Sequence, residues 1–270
     1  MVFAEKYGPW ALVAGASDGV GAALAETLAE RGLNVVLVAR REAKLREVAD
    51  GIAERMAVET KVVAVDLSAA GATETICAAT EGLEIGYLAY CAGADPEFSP
   101  FLAKPIASAE AMLERNCAVP MRLCHHFAPA MVERGRGGIL IFGSGAGFVG
   151  GPNMVAYGAS KAFDMVFAEA LWSELHGSGV DVVGLILGKT DTPALRTLEH
   201  SRGNIASLDE TPEGAAPVAL VVETAMSNMA NGPTVYVGAD MAAAAGMFAS
   251  MSRNDAVRMM TQMIDSAMGD

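Results

Sequence analysis

The sequence has little positive charge. Its 19 Lys and Arg residues are outnumbered by 32 Asp and Glu residues, which gives a formal net charge of −13. Nucleic-acid binding depends on clustered cations that neutralise phosphates, and anionic membranes attract basic segments. The composition therefore argues against both nucleic acids and membrane surfaces as partners.

Long hydrophobic runs are absent as well. No window approaches the roughly 20 apolar residues that cross a bilayer. The opening residues, MVFAEKYGPWALVAGAS, lack the basic region and the long apolar run of a secretion signal. We therefore expect a cytoplasmic protein.

Cysteine and histidine are too few and too poorly spaced for a disulfide framework or a metal site. The cysteines lie in apolar or helical stretches without CxxC spacing, which favours buried reduced thiols. They are Cys77, Cys91, Cys117 and Cys124. His125 and His126 are adjacent rather than one helical turn apart, which is unsuited to binding one ion. We expect no metal.

The sequence does contain a regular alternation of two patterns. Short runs rich in Val, Ile and Leu hardly alternate with polar residues, so they predict strands buried on both faces. The seven runs are WALVAG, NVVLVAR, KVVAVDL, IGYLAYCAG, GGILIFGS, VDVVGLIL and PTVYVG. Helical patterns lie at about residues 20–31, 41–56, 70–80, 106–133, 153–176 and 211–230. This order predicts an α/β protein with a doubly wound parallel sheet of about seven strands and helices on both faces.

The chain shows no sign of division into separate domains. No Pro/Ser-rich linker interrupts it, and 52% of its residues are hydrophobic, which is enough for one large core. We expect a single domain over residues 1–240, followed by a methionine-rich helical extension over residues 241–270. Methionine suits adaptable apolar contacts, so the extension either covers a ligand cleft of its own domain or contacts a second subunit.

A glycine-rich turn joins the first predicted strand to the first predicted helix. In AGASDGVGAALAETLAERG, the glycines permit a tight turn and a close approach of the backbone to a ligand. The positive N-terminus of the following helix favours a pyrophosphate, with Ser17 or Asp18 as the helix cap. We assign this turn to a dinucleotide site made by Gly15, Ser17, Asp18, Gly19, Val20 and Gly21. A glycine turn without a ligand is the alternative.

The second predicted strand ends in VLVARREAK, and its charges bear on the choice of dinucleotide. An NAD site usually has an acid here for the ribose hydroxyls, whereas a basic residue pairs with the 2′-phosphate of NADP. Ala39 takes the acid position and Arg40 and Arg41 follow, so we expect NADP(H), with NAD(H) as the alternative. Solvated arginines without a ligand are the other interpretation. After the third strand, Asp66, followed by Leu67, can accept a hydrogen bond from the adenine amino group.

The ordered set of motifs resembles the short-chain dehydrogenase/reductase family. The matching stretches are GASDGVG, VDL, CAG, RNCAV, FGSGAG, YGASK and LGKTDT, and the match extends to about residue 240. Within the family, VLVARREAKLREVA and YGASKAF are most similar to a bacterial ketoreductase subgroup. The resemblance implies a Rossmann-type fold and hydride transfer between nicotinamide and a carbonyl or alcohol carbon.

Tyr157 and Lys161 can carry out the proton transfer that such a reaction needs. Residues four apart on a helix share a face, so both side chains can point into one site. A free tyrosine has a pKa of about 10, and a neighbouring ammonium lowers that pKa by favouring the phenolate. Tyr157 is then the general acid in reduction, and Ser144, at a strand end, hydrogen-bonds to the substrate oxygen.

The resemblance assigns further residues by position. Asn116 matches the family's helix asparagine, which holds a water of the proton relay, and Lys161 also binds the nicotinamide ribose. The other implied cofactor contacts, in addition to Tyr157 and Lys161, are Ala92, Gly93, Gly188, Thr192 and, as a second threonine candidate, Thr190.

The sequence departs from the family pattern at three places. Leu187 replaces a proline before Gly188, and Ala14 replaces a threonine before the glycine turn. YCAG replaces the more usual NNAG, so that Tyr90 and Cys91 stand where amides would bond across the central sheet. The last change removes hydrogen bonds that would stabilise the sheet locally.

Two segments bear on the substrate. Residues 193–212 lie where the family has a mobile lid, and their mixture of apolar and charged side chains predicts a lid helix over a hydrophobic substrate. Gly145, Gly147, Gly150 and Gly151 either leave the cleft open to a bulky ketone or only form a tight loop. Because the family mostly pairs through the two long helices, we expect a homodimer or homotetramer.

The sequence therefore predicts an NADP(H)-dependent oxidoreductase that reduces a ketone, or oxidises a secondary alcohol, of a small hydrophobic molecule. A 3-oxoacyl-thioester reductase acting on acyl carrier protein or coenzyme A esters is the alternative, although the acidic composition disfavours it. A non-catalytic NADP-binding sensor or scaffold is a third hypothesis. The intact set of Ser144, Tyr157 and Lys161 disfavours that one.

Overall fold

The apolar runs form the strands of the protein. A computed structural model describes residues 2–94 and 98–268. The branched side chains of Val and Ile favour strands because they pack well on a pleated surface. In chain order, the strands are β1 (Trp10–Ala14), β2 (Asn34–Ala39), β3 (Thr60–Ala64), β4 (Ile85–Tyr90), β5 (Gly137–Ser144), β6 (Val180–Leu187), β7 (Thr190–Asp191), β8 (Ala216–Pro217) and β9 (Thr234–Tyr236).

Helices connect the strands and cover both faces of the main sheet. They are α1 (Phe3–Tyr7), α2 (Gly19–Glu30), α3 (Glu42–Arg55), α4 (Ala72–Ala79), α5 (Ile106–Leu113), α6 (Val119–Arg134), α7 (Val155–Leu175), α8 (Pro193–Ser201), α9 (Val218–Ser227), α10 (Ala239–Ala249) and α11 (Arg253–Met268).

Seven strands form one parallel sheet in the order β3-β2-β1-β4-β5-β6-β9, which confirms the predicted doubly wound α/β architecture. β1 pairs with β2 on one side and with β4 on the other, so the strand order reverses at β1. In sheets of this kind, ligands bind beyond the carboxyl ends of the strands at the point of reversal. The glycine turn follows β1 directly and therefore lies at this point.

The core occupies both faces of the sheet. Leu12 and Val13 are neighbours on β1, point to opposite faces, and are both fully buried in separate core clusters. Burying each such side chain contributes about 1.5–3 kcal/mol to stability. The strands read as continuous apolar runs because helices cover them from both sides.

Two predicted helices differ from the observed ones. The helix predicted over residues 106–133 is interrupted by a π-helical turn, Glu114–Ala118, between α5 and α6. The helix predicted over residues 211–230 is shorter, since Pro217 precedes its first turn and α9 begins at Val218. A proline restricts the residue before it to extended backbone, which keeps the preceding segment out of the helix.

A small second sheet links the two ends of the segment predicted to form a lid. Thr190 pairs with Ala216, and Asp191 with Pro217, in a parallel ladder that the sequence analysis did not predict. Residues 192–215 therefore leave and return to the domain at neighbouring points, and α8 lies within them.

No helix within the described ranges is long and apolar enough to cross a bilayer. The described residues also contain no group of three or more His, Cys, Asp or Glu side chains arranged to hold a metal ion. The four cysteines are free thiols, with Cys124 buried and the others half-buried.

Candidate active site

The glycine turn after β1 forms a cradle without room for side chains. A Cβ on Gly15 would lie 2.8 Å from the backbone N of Ala92, and one on Gly21 only 2.1 Å from the carbonyl O of Gly15. Gly15 also has a φ of +93°, which side chains rarely adopt. Of the two predicted caps, Asp18 is the one used: its Oδ1 accepts a hydrogen bond of 2.8 Å from the backbone N of Gly19. The cradle and the start of α2 fit a pyrophosphate.

Arg41, rather than Arg40, contacts the glycine turn. Arg41 Nη2 donates hydrogen bonds of 3.2 Å to Ser17 Oγ and 3.2 Å to Asp18 Oδ2. Arg40 lies toward Asp66, with its Nη1 4.0 Å from Oδ2. Both arginine side chains are more than half exposed and can reach an anionic ligand. Arg40 was the residue predicted to bind the 2′-phosphate, and Arg41 is a second candidate because it contacts the glycine turn.

Asp66 is held as a hydrogen-bond acceptor after β3. It accepts hydrogen bonds from the backbone N of Ser68 at 2.9 Å and from Ser68 Oγ at 2.7 Å. Burial alone would raise the pKa of Asp66, but these bonds and the charges of Arg40 and Arg115 lower it overall. The ionised carboxylate can accept the hydrogen bond predicted from the adenine amino group. The Leu67 side chain is buried in the core, which leaves its backbone for the predicted cofactor contact.

Gly93 lies where two predicted catalytic residues meet. Its φ is +130°, and a Cβ there would lie 3.0 Å from Asn116 Oδ1 and 3.2 Å from Lys161 Nζ. The preceding residue, Ala92, is the one that approaches Gly15 in the cradle. The end of β4 thus connects the candidate pyrophosphate site with the candidate catalytic site.

The turn after β5 brings Ser144 to the end of α7 that carries Tyr157 and Lys161. Ser144 Oγ accepts a hydrogen bond of 3.2 Å from the backbone N of Ala146, which fixes the start of the turn. The turn packs directly on α7, since a Cβ on Gly147 would lie 2.6 Å from the backbone C of Lys161. Lys161 Nζ lies 5.9 Å from the centroid of the Tyr157 ring. The three predicted residues therefore share one end of α7.

Lys161 is almost fully buried and is held by two acceptors. Its Nζ donates hydrogen bonds to the carbonyl O of Phe142 at 2.8 Å and to Asp164 Oδ2 at 2.9 Å. The side chains of Lys161 and Asp164 are only 5% and 4% exposed. Burial raises the pKa of Asp164 to about 6, against the lowering effect of Lys161. Asp164 was not among the predicted site residues, although an acid three residues after a lysine lies on the same helical face.

Asn116 lies in the π-helical turn and joins it to α7. The side chain is buried, with Nδ2 donating a hydrogen bond of 2.9 Å to Ser160 Oγ. Ser160 Oγ in turn donates to the carbonyl O of Tyr157 at 2.8 Å. Arg115 Nε donates to Asn116 Oδ1 at 3.1 Å. The Ser160 side chain thus links Asn116 to the backbone of Tyr157. The role of Asn116 in holding a relay water stays a prediction.

Tyr90 provides a substitute for the amides that the family pattern places after β4. Its ring is buried, and its Oη donates a hydrogen bond to the carbonyl O of Arg115 in the π-helical turn. The backbone N of Cys91 donates to the carbonyl O of Ala14 at 2.8 Å. The end of β4 is therefore tied to β1 and to the π-helical turn without those amides.

The segment after β6 meets the glycine cradle. A Cβ on Gly19 would lie 3.0 Å from Thr192 Cγ2. Thr192 Oγ1 accepts a hydrogen bond of 3.2 Å from the backbone N of Leu195 and caps α8. Thr190 Oγ1 donates to the carbonyl O of Gly188 at 3.4 Å. Of the two threonine candidates, Thr192 is the one in contact with the cradle.

Met241 of α10 lies between two strand ends of the site. A Cβ on Gly145, next to Ser144, would lie 2.9 Å from Met241 Sδ, and one on Gly188 would lie 2.8 Å from Met241 Cε. The space above these glycines is therefore filled by a side chain of the tail. Met241 was not among the predicted site residues, because its proximity arises from the fold and not from spacing along the chain.

α11 packs on the same loop. A Cβ on Gly151 would lie 2.7 Å from Ile264 Cδ1 and 2.9 Å from Met260 Cγ. Phe148 and Phe248, with ring centroids 6.2 Å apart, extend this apolar contact to α10. Within this chain, the tail packs on the loop after β5, and its contact with a second subunit stays a prediction.

The segment predicted to form a lid is fixed at its base by an ion pair. Arg196 of α8 donates two hydrogen bonds to Asp191 of β7, Nε to Oδ1 at 2.6 Å and Nη2 to Oδ2 at 2.8 Å. These bonds lower the pKa of Asp191 and raise that of Arg196. Thr211 Oγ1 also donates to Asp191 Oδ2, at 3.2 Å. Both ends of the segment are therefore joined at Asp191.

A cavity of about 50 Å³ opens beside Tyr157, and Met112 and Met154 contribute to its apolar wall. A larger cavity, of about 410 Å³, lies between α4 and α6 and is lined by none of the predicted site residues. The smaller cavity borders Tyr157, whereas the larger one borders no residue of the candidate site.

Comparisons with known proteins agree with this geometry. The family model for short chain dehydrogenases matches residues 9–203. The chain is 40% identical to the 7beta-hydroxysteroid dehydrogenase of Collinsella aerofaciens over 212 residues, which are 78% of this chain and 77% of that protein. A solved 7beta-hydroxysteroid dehydrogenase superposes with a TM-score of 0.87 at 34% identity, covering 96% of this chain and 99% of that one. A short-chain dehydrogenase from Sphingobium yanoikuyae in complex with NADPH has a TM-score of 0.76 at 27% identity, with coverage of 90% and 96%.

The family model covers most of the chain, and the 40% identity to the Collinsella relative extends over 77% of that protein. The predicted family is therefore confirmed. The chain belongs to the short chain dehydrogenase family and is an oxidoreductase that acts on a hydroxyl or carbonyl group with a nicotinamide dinucleotide.

Proposed function

We propose that the protein is an NADP(H)-dependent oxidoreductase that interconverts a ketone and a secondary alcohol on a hydrophobic, steroid-sized substrate. The observation that carries the proposal is the buried Lys161 ammonium beneath the Tyr157 ring, at the end of α7 that the Ser144 turn packs against. This arrangement places a cation next to a phenol, which is what proton exchange by tyrosine near neutral pH requires.

The residues around the glycine turn fit NADP(H). The cradle at Gly15 and Gly21 excludes side chains, and Arg40 and Arg41 supply two exposed guanidinium groups beside it. An arginine fork matches the geometry of a phosphate, which favours a 2′-phosphorylated ribose over a plain one. The NADPH complex of the Sphingobium relative supports the same choice. NAD(H) remains the less favoured alternative.

The chain's own residues then handle the proton and the substrate oxygen. The bound dinucleotide supplies hydride in reduction and accepts it in oxidation. Tyr157 Oη donates its proton to the carbonyl oxygen in reduction and takes it back in oxidation. Ser144 Oγ hydrogen-bonds to the same oxygen as charge develops on it. Lys161 stabilises the phenolate, and its third N–H, beyond those to Phe142 and Asp164, is available to a ligand.

A steroid-sized substrate is supported by the relatives, and the cavity of about 50 Å³ beside Tyr157 must widen to admit it. Relatives that are 40% and 36% identical over 78% and 80% of this chain are 7beta-hydroxysteroid dehydrogenases, whereas a very-long-chain 3-oxoacyl-CoA reductase matches 67% of it at 35% identity. Met112 and Met154 beside Tyr157 offer polarisable side chains that adapt to a bulky ring system. Tail residues behind the loop after Ser144 add a further apolar layer.

The test is NADPH oxidation with steroid ketones, small ketones and 3-oxoacyl thioesters, measured by absorbance for the wild type, Tyr157→Phe and Tyr87→Phe. Tyr87 is a buried core tyrosine whose Oη bonds to Met229 Sδ, so its substitution is a matched loss of one hydroxyl. We expect turnover of a steroid ketone, a loss of at least about 100-fold in kcat for Tyr157→Phe, and near-normal kcat for Tyr87→Phe. Wild-type turnover by Tyr157→Phe would refute the proton donor, and preference for thioesters would refute the substrate class.

A further inference from the structure

We propose that Asp164 is a positioning residue of the active site, which holds the Lys161 ammonium in place and offsets part of the positive charge that Tyr157 experiences. This inference rests on the roles of Tyr157 and Lys161 in the proposed function. It adds a third member to their row on α7.

The row follows from helical geometry. Tyr157, Lys161 and Asp164 succeed one another at spacings of four and three residues, so all three lie on one face of α7. Lys161 Nζ is the middle of this row, 5.9 Å from the Tyr157 ring centroid and 2.9 Å from Asp164 Oδ2. The carbonyl O of Phe142 takes a second N–H of Lys161 at 2.8 Å. Because fixed acceptors hold two of its three N–H groups, the ammonium can point the third in one direction.

Burial of the Asp164 carboxylate does not favour the stability of the fold. Asp164 is 3% exposed, and its Oδ1 is buried without a hydrogen-bond partner among the described residues. The pKa of Asp164 is raised to about 6, mainly by burial, so the native state binds more protons than the unfolded state between about pH 4 and that value. Ionising Asp164 therefore costs stability as the pH rises through this range. We therefore attribute the presence of the carboxylate to its effect on Lys161, whose ammonium it holds in place.

The other titratable groups that face Asp164 stay neutral near physiological pH. They come from three elements packed against α7: Tyr90 of β4, Cys117 of the π-helical turn and Cys124 of α6. Burial raises the pKa of Cys117 to about 11 and that of Cys124 to about 12, and it raises the pKa of Tyr90 well above its ordinary value. Arg115 and Glu114 of the π-helical turn also act on Tyr90, while Asp164 and Lys161 form the buried charged pair on α7.

The consequence is a measurable effect on Tyr157. The ammonium and the carboxylate behind it carry opposite charges, so each offsets part of the field that the other places on Tyr157. Asp164→Asn keeps an oxygen acceptor for Lys161 but removes the charge. The field of Lys161 at Tyr157 is then no longer offset, so kcat/KM for ketone reduction should begin to fall at a lower pH than in the wild type.

The experiment compares the pH dependence of kcat/KM for ketone reduction in the wild type, Asp164→Asn, Asp164→Glu and Asp181→Asn, with thermal unfolding as the check on folding. Asp181 is also paired with a lysine, Lys6, and lies at the start of β6 away from the site, so Asp181→Asn is the charge-matched control. The alkaline limit is the pH above which kcat/KM falls. We expect this limit to shift downward in Asp164→Asn only. Asp164→Glu restores the charge one methylene away, so it should restore the limit while kcat stays several-fold low.

An alkaline limit that is equal in Asp164→Asn and the wild type would overturn the proposal. If Asp164→Asn does not fold, Asp164→Glu carries the test, and an unchanged kcat or a shifted limit in that variant contradicts it. Tyr157→Phe, measured in parallel, separates the two proposals. If that variant is inactive and Asp164→Asn leaves the limit unmoved, only the role of Asp164 fails, whereas an active Tyr157→Phe removes the basis of both.

Discussion

Arg40 and Arg41 are adjacent in the chain, yet their guanidinium groups contact different partners. Arg41 bridges Ser17 and Asp18 of the glycine turn, and Arg40 faces Asp66. We expect Arg41→Ala to reduce kcat/KM for NADPH by roughly 10- to 100-fold, since hydrogen bonds to charged groups contribute about 1.5–3 kcal/mol. Arg40→Ala should have a smaller effect. Steady-state kinetics with NADPH and NADH measures both.

The control for this prediction is a third arginine of the same region. Arg46 of α3 is exposed and pairs with Glu42, so Arg46→Ala removes a similar charge without touching the glycine turn. We expect it to leave the preference for NADPH unchanged. An equal loss with NADPH and NADH in Arg41→Ala would mean that this arginine braces the turn and does not recognise a 2′-phosphate.

The proximity of the proposed catalytic residues was predictable because local rules place them. Tyr157 and Lys161 lie four apart, so any helix there brings them to one face. The cradle glycines were predictable for a similar reason, since a strand, a tight turn and a helix follow in immediate succession. Met241 and the contact between Arg41 and Ser17 depend on segments that are distant in sequence. No spacing reveals such contacts, and they required the structure.

At the scale of elements, the interruption between α5 and α6 is the main feature that the sequence did not reveal. A π-helical turn leaves the apolar pattern of the surrounding helices almost unchanged, so periodicity predicts one long helix. The turn shifts the direction of the chain at Asn116, which then reaches Ser160 on α7. The residue type was identified from the family pattern, whereas the backbone distortion that positions it was not.

The packing of α11 on the loop after β5 gives a prediction for an element. A Cβ at Gly151 would collide with Met154, Met260 and Ile264, whereas one at Gly150 meets nothing within 4 Å. Gly151→Val should therefore displace α11 and lower the free energy of unfolding by about 1–3 kcal/mol, as overpacking does. Gly150→Val is the matched control and should change it far less. Urea unfolding of the two variants tests this, and equal values would show that α11 does not depend on the contact.

At the scale of the whole molecule, the sheet was predictable in class, strand number and direction of the strands. Continuous apolar runs separated by helices admit few arrangements other than a parallel sheet with both faces covered. The reversal of strand order at β1 follows from the same architecture and places the site at the carboxyl ends. The small sheet of β7 and β8 was not predictable, because two-residue strands carry no periodic signal.

The exposed face of α7 gives a prediction about the assembly of the protein into a dimer. Val155 and Val166 lie about three turns apart on one face of α7 and are 53% and 65% exposed, on the side away from Lys161. We expect this face to pair with a second copy, so Val166→Glu should weaken the dimer at least about tenfold by burying an unpaired charge. Sedimentation measures the change. Leu208→Glu, at a residue 53% exposed outside the two long helices, is the control, and equal behaviour of both variants would exclude this interface.

The parallel ladder of β7 and β8 has a consequence for how the segment between them unfolds. Residues 192–215 depend on the pairing of Thr190 with Ala216 and of Asp191 with Pro217 at their two ends. A fluctuation that breaks this ladder releases the whole segment at once, and a fluctuation that leaves it intact keeps the ends of the segment together. We therefore expect the segment to unfold as one cooperative unit, held at its base by the ladder and by the bonds of Arg196 and Thr211 to Asp191.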